Sequence, residues 1–226
     1  MKLQDKNVLL FDLDGTLVDS APDLALAVNR MLADLNRAEF DEGTIRSWVG
    51  NGAKVLTERA LSGSTEVDET LDTDFVADAL SKFLRHYEAC VCINSVLYDG
   101  VRDGLITLKQ AGYRLAIITN KPEQFIQPIL AGLALGDLFE LLIGGDTYPL
   151  RKPHPEPLFG AMKKLAVTVE QCVMIGDSKN DILAAQAADM ASVGLTYGYN
   201  YGEDISQYQP NWCFDNFNQF VAAFKA

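Results

Sequence analysis

Two aspartates near the start of the chain, Asp12 and Asp14, end an apolar run in the stretch "LLFDLDGTLVDS" at residues 9–20. Alternate residues of a strand point to the same face, so we expect both carboxylates on one side of the pleat and Leu13 on the other. Like charges at that separation repel each other, which raises one pKa or requires a cation between them. The spacing therefore predicts a positive group beside this pair of acids.

Apolar runs later in the chain are also followed directly by polar side chains. Ligands bind beyond the carboxyl ends of the strands in an open parallel sheet, so these side chains are candidate site residues. They are Thr119 and Asn120 after "RLAII", residues 144–146 after "LLI", Lys152 in the loop that follows, and Asp177, Ser178 and Asp181 after "CVMI". We expect them to meet Asp12 and Asp14 at one edge of a sheet.

A cluster of Asp12, Asp14 and Asp177 needs compensating positive charge at neutral pH. Hard oxygen ligands without imidazole or thiolate groups favour Mg²⁺ as the cofactor. That ion binds phosphate oxygens readily and Lys152 adds a second positive charge, so an acidic site could still accept an anion. These are the parts of a site for phosphoryl transfer.

Chemistry divides the roles among the candidate catalytic and substrate-binding residues. Asp12 is the expected nucleophile, because an aspartyl phosphate splits a difficult hydrolysis into two displacements. Asp14 is expected to give a proton to the departing alkoxide and then to take one from the attacking water. The Thr119 hydroxyl, the Asn120 backbone N–H and the Lys152 ammonium are expected to donate to the phosphoryl oxygens.

Ser178 and Asp181 are expected to support the site from behind rather than to contact the substrate. Asp181 is four residues after Asp177, so a helix that begins near Ser178 would carry Asp181 in its first turn, where the helix dipole favours an acid. There it could hold a water on the metal or Lys152. An ordinary acid at a helix start is the alternative.

The elements that position these residues follow from the apolar patterns. Apolar residues at helical spacing predict helices over residues 24–35 and 75–87, with Ser20 and Asp23 as a capping box for the first and polar, Gly-containing connections between the two. No strand is expected over residues 20–90. From about residue 98, strand-like runs such as "YRLAIITN", "FELLIGGD", "CVMIGDS" and "ASVGLTY" alternate with helical ones, which indicates a parallel sheet.

The predicted fold is therefore of the α/β class, with a Rossmann-like parallel-sheet core and an inserted α-helical cap domain. The first strand, at about residues 8–14, is expected in the same sheet as the strands after residue 110. We predict residues 1–19 and 91–226 as the core, and residues 20–90 as the cap.

Composition limits the partners and the cellular location. The 226 residues include 48% hydrophobic residues, enough for a substantial core, and carry a net charge of −12. That charge argues against a nucleic acid or an anionic membrane as partner, and no apolar run is long enough to span a membrane. Four cysteines without paired metal-site spacing and an N-terminus without a secretory signal predict a cytoplasmic protein.

Four motifs in this order resemble those of the haloacid dehalogenase superfamily. They are "DLDGTLVDS", Thr119 at the end of "IITN", Lys152 in "RKPHPEPL", and "GDSKND" at residues 176–181. Two further stretches, "WVGNGA" at residues 48–53 and "SVGLTYGYNYGEDI" at residues 192–205, resemble the phosphoglycolate phosphatase branch. No role is assigned from the sequence to the tyrosines of residues 197–208.

The resemblance implies a capped Rossmann-like phosphatase of carbohydrate metabolism. It implies Asp12 as nucleophile, Asp14 as acid and base, and Mg²⁺ held by Asp12, the main-chain carbonyl of Asp14, and Asp177. The predicted activity is Mg²⁺-dependent hydrolysis of a small phosphate ester such as 2-phosphoglycolate.

Two other functions stay open at the level of the sequence. A phosphomutase would return the phosphoryl group from the aspartyl phosphate to a sugar instead of to water. A phosphoaspartate signalling module would also gather acids, a threonine and a lysine at a sheet edge, but would explain neither the cap nor the second aspartate.

Overall fold

The computed structural model describes residues 2–224, which form a parallel sheet with helices on both faces and a helical insertion above one edge. Its strands are β1 (Val8–Phe11), β2 (Val18–Asp19), β3 (Val96–Leu97), β4 (Arg114–Ile118), β5 (Leu141–Ile143), β6 (Cys172–Gly176), β7 (Ala191–Leu195) and β8 (Trp212–Phe214). Its α-helices are α1 (Ala21–Asp34), α2 (Glu42–Arg46), α3 (Ala53–Ser62), α4 (Thr73–Glu88), α5 (Val101–Gln110), α6 (Ile126–Gly132), α7 (Glu156–Leu165), α8 (Lys179–Ala187) and α9 (Phe217–Ala222). None of the helices within residues 2–224 combines the length and apolarity needed to cross a bilayer.

The sheet has the strand order β5-β4-β1-β6-β7-β8, and each neighbouring pair is parallel. The central strand β1 is buried on both faces, as expected for a strand covered by helices on each side. Leu9 and Phe11 pack into the core beneath α5, α6 and α9, whereas Val8 and Leu10 pack into the core beneath α7 and α8. The alternation of side chains along one strand thus supplies both layers of the core.

The register of β1 sets the position of the site. Phe11 lies opposite Ile117 of β4 and Ile175 of β6. The residues that follow these three strands therefore emerge side by side at the carboxyl edge of the sheet. This is the edge at which the sequence predicts ligand binding.

Helices α1 to α4 form the insertion above this edge. They leave the core after β2 and return at β3, and these two-residue strands pair antiparallel at the base of the insertion. Most of their buried apolar residues form a hydrophobic cluster separate from the two cores on the sheet. The predicted fold class, a Rossmann-like core with an inserted helical cap, is confirmed.

Several elements differ from the expectation. β1 ends at Phe11 rather than near residue 14, because the chain turns there and the N–H groups of Leu17 and Val18 both bond to the Leu13 carbonyl. Helices α2 and α3 occupy a stretch expected as connections, and β2, β3 and β8 are too short or too irregular in pattern to be recognised.

The predicted capping box of α1 is wrong. The Ser20 hydroxyl makes no bond within the first turn and donates instead to Asp14. The Asp23 carboxylate accepts hydrogen bonds from Asn94 and Ser95, on the segment that returns from the cap. Both members of the expected pair are thus bonded to residues outside the first turn of α1.

Candidate active site

Asp12 follows β1 directly and its side chain is nearly buried at the carboxyl edge of the sheet. Its Oδ1 accepts a hydrogen bond from the Leu13 N–H at 2.7 Å and lies 3.1 Å from Lys152 Nζ. Its Oδ2 has no hydrogen-bond partner within residues 2–224. Burial raises the Asp12 pKa to about 6, although Lys152 opposes this rise. One oxygen is therefore fixed while the other is available.

Lys152 lies in the loop before α7, and its ammonium group is buried among three oxygen atoms. Besides its contact with Asp12, Nζ donates to the Ile118 carbonyl and to Asp181 Oδ1, each at 2.6 Å. Burial alone would lower the Lys152 pKa, but the carboxylates of Asp12 and Asp181 outweigh it and raise the pKa. Lys152 is thus a fixed positive charge beside the Asp12 oxygen that the Leu13 N–H also holds.

Asp177 and Asp181, which follow β6, bring their carboxylates close to that of Asp12. Asp177 accepts hydrogen bonds from the Thr16 hydroxyl at 2.5 Å and from the Tyr199 N–H at 2.6 Å. Both oxygens of Asp181 are engaged, Oδ1 by Lys152, and Oδ2 by the N–H and hydroxyl of Ser178. Ser178 and Asp181 therefore form the capping box of α8, and Asp181 contacts Lys152, one of the two partners that were left open from the sequence.

The donor set fits a hard divalent cation. Carboxylate oxygens of Asp12, Asp177 and Asp181 lie within 4.8 Å of one another, and Lys152 is the one cation that pairs with them within residues 2–224. Burial, with the charges of Asp181 and Asp12, raises the Asp177 pKa well above its usual value. An uncompensated negative charge therefore remains between Asp12 and Asp177, where oxygen ligands suit Mg²⁺.

Two glycine backbones enclose Asp177. A Cβ on Gly15 or on Gly198 would lie 2.2 Å from Asp177 Oδ2, and Gly15 also has a φ of +85° that favours glycine. No side chain from either of these two positions therefore occupies the space beside Asp177 Oδ2. This cradle supports the same fit for a small cation.

The carboxylate of Asp14 points away from that cluster, which differs from the expectation that it would crowd against Asp12 around one cation. Asp14 Oδ1 accepts from Lys121 Nζ at 2.9 Å and from the Ser20 hydroxyl at 2.5 Å. The expected positive charge is present as two lysines, Lys152 beside Asp12 and Lys121 beside Asp14. The turn after β1 separates the two carboxylates, because the strand does not continue to residue 14.

Thr119 and Asn120, directly after β4, line a cavity of about 40 Å³ between the sheet edge and the cap. The Asn120 amide N–H₂ donates to the Gly50 carbonyl of the cap and to the Lys152 carbonyl, each at 2.9 Å. Asp12, Asp14 and Lys121 complete the polar wall. Apolar cap residues form the opposite wall: Leu24, Val49, Leu56 and Phe83.

Sequence reasoning missed several residues of the site. Lys121 is adjacent to a predicted residue, but its partner Asp14 is 107 positions away, so no local pattern marks it. Thr16 lies within the first motif, and its hydroxyl, close in sequence to Asp12 and Asp14, is the signal that could have marked it as a donor to a site carboxylate.

The tyrosine-rich segment, left without a role by the sequence, joins the site to the cap. The Tyr199 N–H holds Asp177, and its hydroxyl contacts the N–H groups of Ser20 and Ala21 at 3.0 and 3.2 Å. The Tyr201 hydroxyl donates to Asn51 Oδ1 of the cap at 2.7 Å.

Comparisons with known proteins agree with this geometry. A family model for haloacid dehalogenase-like hydrolases matches residues 6–189. The chain is 70% identical to a phosphoglycolate phosphatase of Colwellia psychrerythraea over the whole of both chains. It is 48% identical to a phosphoglycolate phosphatase of Psychrobacter arcticus, over 96% of this chain and 95% of that protein.

Solved structures extend the agreement to the fold. The crystal structure of a "predicted phosphoglycolate phosphatase" from Haemophilus somnus 129PT has a TM-score of 0.90 and 41% identity, over 97% of this chain and 98% of that one. The predicted superfamily and the predicted kind of enzyme, a phosphatase, are confirmed. This chain belongs to the haloacid dehalogenase-like hydrolases.

Proposed function

We propose that the protein is a Mg²⁺-dependent phosphomonoester hydrolase that acts through an aspartyl phosphate on 2-phosphoglycolate or a similarly small phosphorylated acid. One observation supports this most strongly. Asp12 is held by the Leu13 N–H and Lys152 through one oxygen, and its other oxygen is without a partner within residues 2–224 beside a cavity. A nucleophile in phosphoryl transfer needs such a fixed carboxylate with one available lone pair.

In the first displacement, an Asp12 oxygen attacks phosphorus and the bond from phosphorus to the ester oxygen breaks. Asp14 gives its proton to the departing alkoxide, which leaves as an alcohol. Lys152, the Thr119 hydroxyl and the Asn120 N–H bind the phosphoryl oxygens and keep phosphorus in line with Asp12.

In the second displacement, a water attacks phosphorus and the bond from phosphorus to Asp12 breaks, which releases inorganic phosphate. Asp14 accepts the proton of that water. Its carboxylate form, as paired with Lys121 here, is the form required for this step. The cap helices limit the access of further water to the cavity while the covalent form exists.

Asp12, Asp177 and the main-chain carbonyl of Asp14 are the proposed ligands of Mg²⁺. When bound, the ion would supply positive charge that offsets repulsion between Asp12 and a phosphate dianion. Ser178 and Asp181 hold Lys152 and the start of α8 in place behind this group.

The size of the site and the names of the relatives support a small substrate. Both curated relatives described above are named phosphoglycolate phosphatases. The cavity beside Asp12 measures about 40 Å³, and such a small volume supports a small substrate.

The boundaries of the domains and the cellular location are parts of the same proposal. Residues 20–90 as cap are supported by the separate hydrophobic cluster of α1 to α4. A cytoplasmic location is supported by the four cysteines, none of which forms a disulfide.

A panel of phosphate esters tests the proposal. Purified protein is incubated with 2-phosphoglycolate, ethyl phosphate or glucose 1-phosphate, with Mg²⁺ or with excess chelator, and free phosphate is measured. We expect repeated turnover, fastest with 2-phosphoglycolate, and loss of more than about 100-fold in rate with chelator. Isomerisation of the sugar phosphate without phosphate release would indicate a mutase. A stable stoichiometric phosphoprotein without turnover would indicate a signalling module.

A further inference from the structure

Two buried polar atoms in the cavity have no hydrogen-bond partner. Within residues 2–224, the buried side-chain nitrogen and oxygen atoms without a partner are the Tyr87 hydroxyl oxygen and Asn120 Oδ1. Both residues line the cavity between the cap and Asp12. Leaving such an atom unpaired costs about 1–3 kcal/mol, and native proteins rarely do so without a reason. Because both atoms belong to residues that line the same cavity, we expect a bound ligand to supply their missing hydrogen-bond partners.

The Tyr87 ring is fixed in position. Tyr87 is in the last turn of α4 and its side chain is 1% exposed. The ring stacks on Phe83, with centroids 5.8 Å apart and planes 6° apart, and meets the edge of Phe125 at 4.8 Å. The hydroxyl cannot turn to another partner without disturbing this packing, so it is held ready at the cavity.

The chemistry of its neighbours leaves the Tyr87 hydroxyl as a donor. Lys121 Nζ lies 4.6 Å from the ring centre and binds Asp14, and an ammonium group can only donate. The proton of the tyrosine therefore has no acceptor within residues 2–224. Burial raises the Tyr87 pKa above its usual value, so the group stays neutral and keeps that proton.

The position of Tyr87 in the cavity indicates which part of the substrate would accept a hydrogen bond from its hydroxyl. Tyr87 and Lys121 lie beside Asp14, the residue that we propose as proton donor to the leaving group, whereas Lys152 lies beside the nucleophile. The Tyr87 side of the cavity is thus where the leaving group of an ester would lie. A positive charge and an unused donor together favour an anionic acceptor such as a carboxylate.

We propose that Tyr87 is a specificity-determining residue, whose hydroxyl donates a hydrogen bond to a carboxylate on the leaving group of the substrate, next to the charge of Lys121. This inference rests on the proposed function, hydrolysis of a small phosphorylated acid at Asp12. The hydrogen bond is present in both bound substrate and transition state, so it contributes to KM rather than to kcat.

The substitution Tyr87→Phe tests this, because it keeps the stacked ring and removes one oxygen. Steady-state kinetics with Mg²⁺ are measured for 2-phosphoglycolate and for ethyl phosphate, which lacks the carboxylate. We expect the KM for 2-phosphoglycolate to rise about tenfold or more, the usual effect of losing a hydrogen bond to a charged group, with kcat within about twofold. The kinetics with ethyl phosphate should stay within about twofold of wild type.

A matched control and a measurement independent of activity accompany the kinetics. Tyr113→Phe removes the same atom from a ring that packs against Phe224, away from the cavity. This variant should leave KM and kcat unchanged with both esters. The midpoint of thermal unfolding of Tyr87→Phe without ligand should equal or exceed that of wild type, because the hydroxyl proton that is removed has no acceptor within residues 2–224.

The outcomes separate this inference from the proposed function. Wild-type protein that hydrolyses neither ester contradicts the proposed function itself. Wild-type protein that hydrolyses both without preferring 2-phosphoglycolate contradicts recognition of a carboxylate. If wild type prefers 2-phosphoglycolate, an unchanged KM in Tyr87→Phe overturns the inference, as does an equal loss with both esters, which would mark Tyr87 as only structural.

Discussion

At the scale of single residues, the site is defined by how buried charges are compensated. Asp12 is buried next to Asp181 and Asp177, and one ammonium group, that of Lys152, offsets their charge. Burial raises the pKa of Asp12 to about 6, with the charge of Asp181 adding to the rise, where an exposed aspartate would titrate near 4. In the protein without metal, ionisation of Asp12 therefore opposes folding.

This cost predicts a pH-dependent difference in stability between wild type and Asp12→Asn. A pKa raised from 3.8 to about 6 contributes stability that is fully present below pH 3.8 and is lost as the pH rises through 6. Wild type should lose the remainder of this contribution between pH 5 and pH 8, whereas asparagine does not titrate. The free energy of unfolding of both proteins is measured by urea unfolding with chelator. Between pH 5 and pH 8, the difference between them should shift in favour of Asp12→Asn by about 1 kcal/mol.

Asp189→Asn is the control, because Asp189 is exposed and lies outside the cluster. Its difference from wild type should be the same at both pH values. A difference between wild type and Asp12→Asn that is also independent of pH would show that burial does not raise the pKa of Asp12.

At the scale of elements, the two segments that connect core and cap are tied together by one buried carboxylate. Asp23, in the first turn of α1, is fully buried and accepts hydrogen bonds from the N–H groups and side chains of Asn94 and Ser95, at 2.6–3.1 Å. Asp23 leads into the cap and Ser95 leads out of it, so the carboxylate fixes the base of the insertion beside β2 and β3.

We therefore expect Asp23→Ala to lower the free energy of unfolding by about 2–4 kcal/mol, because it leaves buried donors of Asn94 and Ser95 without an acceptor. Asp74→Ala is the matched control: Asp74 also lies in the first turn of a helix, α4, but is exposed. Its loss should cost less than about 1 kcal/mol. Urea denaturation measures both, and equal effects would contradict the role assigned to Asp23.

The long elements could be predicted from the sequence because their patterns are local. The apolar runs of β4, β6 and β7 and the periodicity of α1 and α4 each mark their own element. Helices α2 and α3 lie on either side of Gly50 and Gly52, and these glycines are typical of a connection, so neither helix was predicted. The strands β2 and β3 exist only through pairing between Val18 and Leu97, which no local pattern reveals.

The positions of the site residues were predictable for the same reason that the sheet was. Parallel strands bring their carboxyl ends together, so Asp12, Thr119 and Asp177 had to emerge at one edge. The direction of the Asp14 side chain was not predictable, because it depends on the turn at Gly15 and on Lys121 from a different strand end. The roles of these residues in catalysis remain our proposal.

At the scale of the whole molecule, two buried lysines bring positive charge to the acidic site of an acidic protein. The chain carries a net charge of −12, yet two lysines, Lys121 and Lys152, are almost fully buried at the carboxyl edge of the sheet beside the cavity. Each is held by a carboxylate that the proposed mechanism uses. An anionic ester thus meets two buried ammonium groups beside the acids, and a bound cation would offset the negative charge that remains.

A second feature of the whole molecule is that hydrogen bonds join the core to the cap. Asn120 donates to the Gly50 carbonyl, and Tyr201 donates to Asn51, so the strand ends of the core hold the cap loop directly. The proposed catalytic acids, the proposed phosphate-binding residues and the apolar wall of the cap then enclose one small cavity. The proposed covalent step takes place in this cavity, on Asp12.

The most direct test is detection of the phosphoryl group on Asp12. Wild type and Asp12→Asn are mixed with Mg²⁺ and 2-phosphoglycolate, quenched in acid during turnover, digested and analysed by mass spectrometry. We predict a phosphorylated peptide containing Asp12 in wild type, and in Asp12→Asn neither that peptide nor phosphate release above about one thousandth of the wild-type rate. A folded Asp12→Asn variant that releases phosphate within about tenfold of the wild-type rate, equivalent to roughly 1.4 kcal/mol of barrier, would contradict the account.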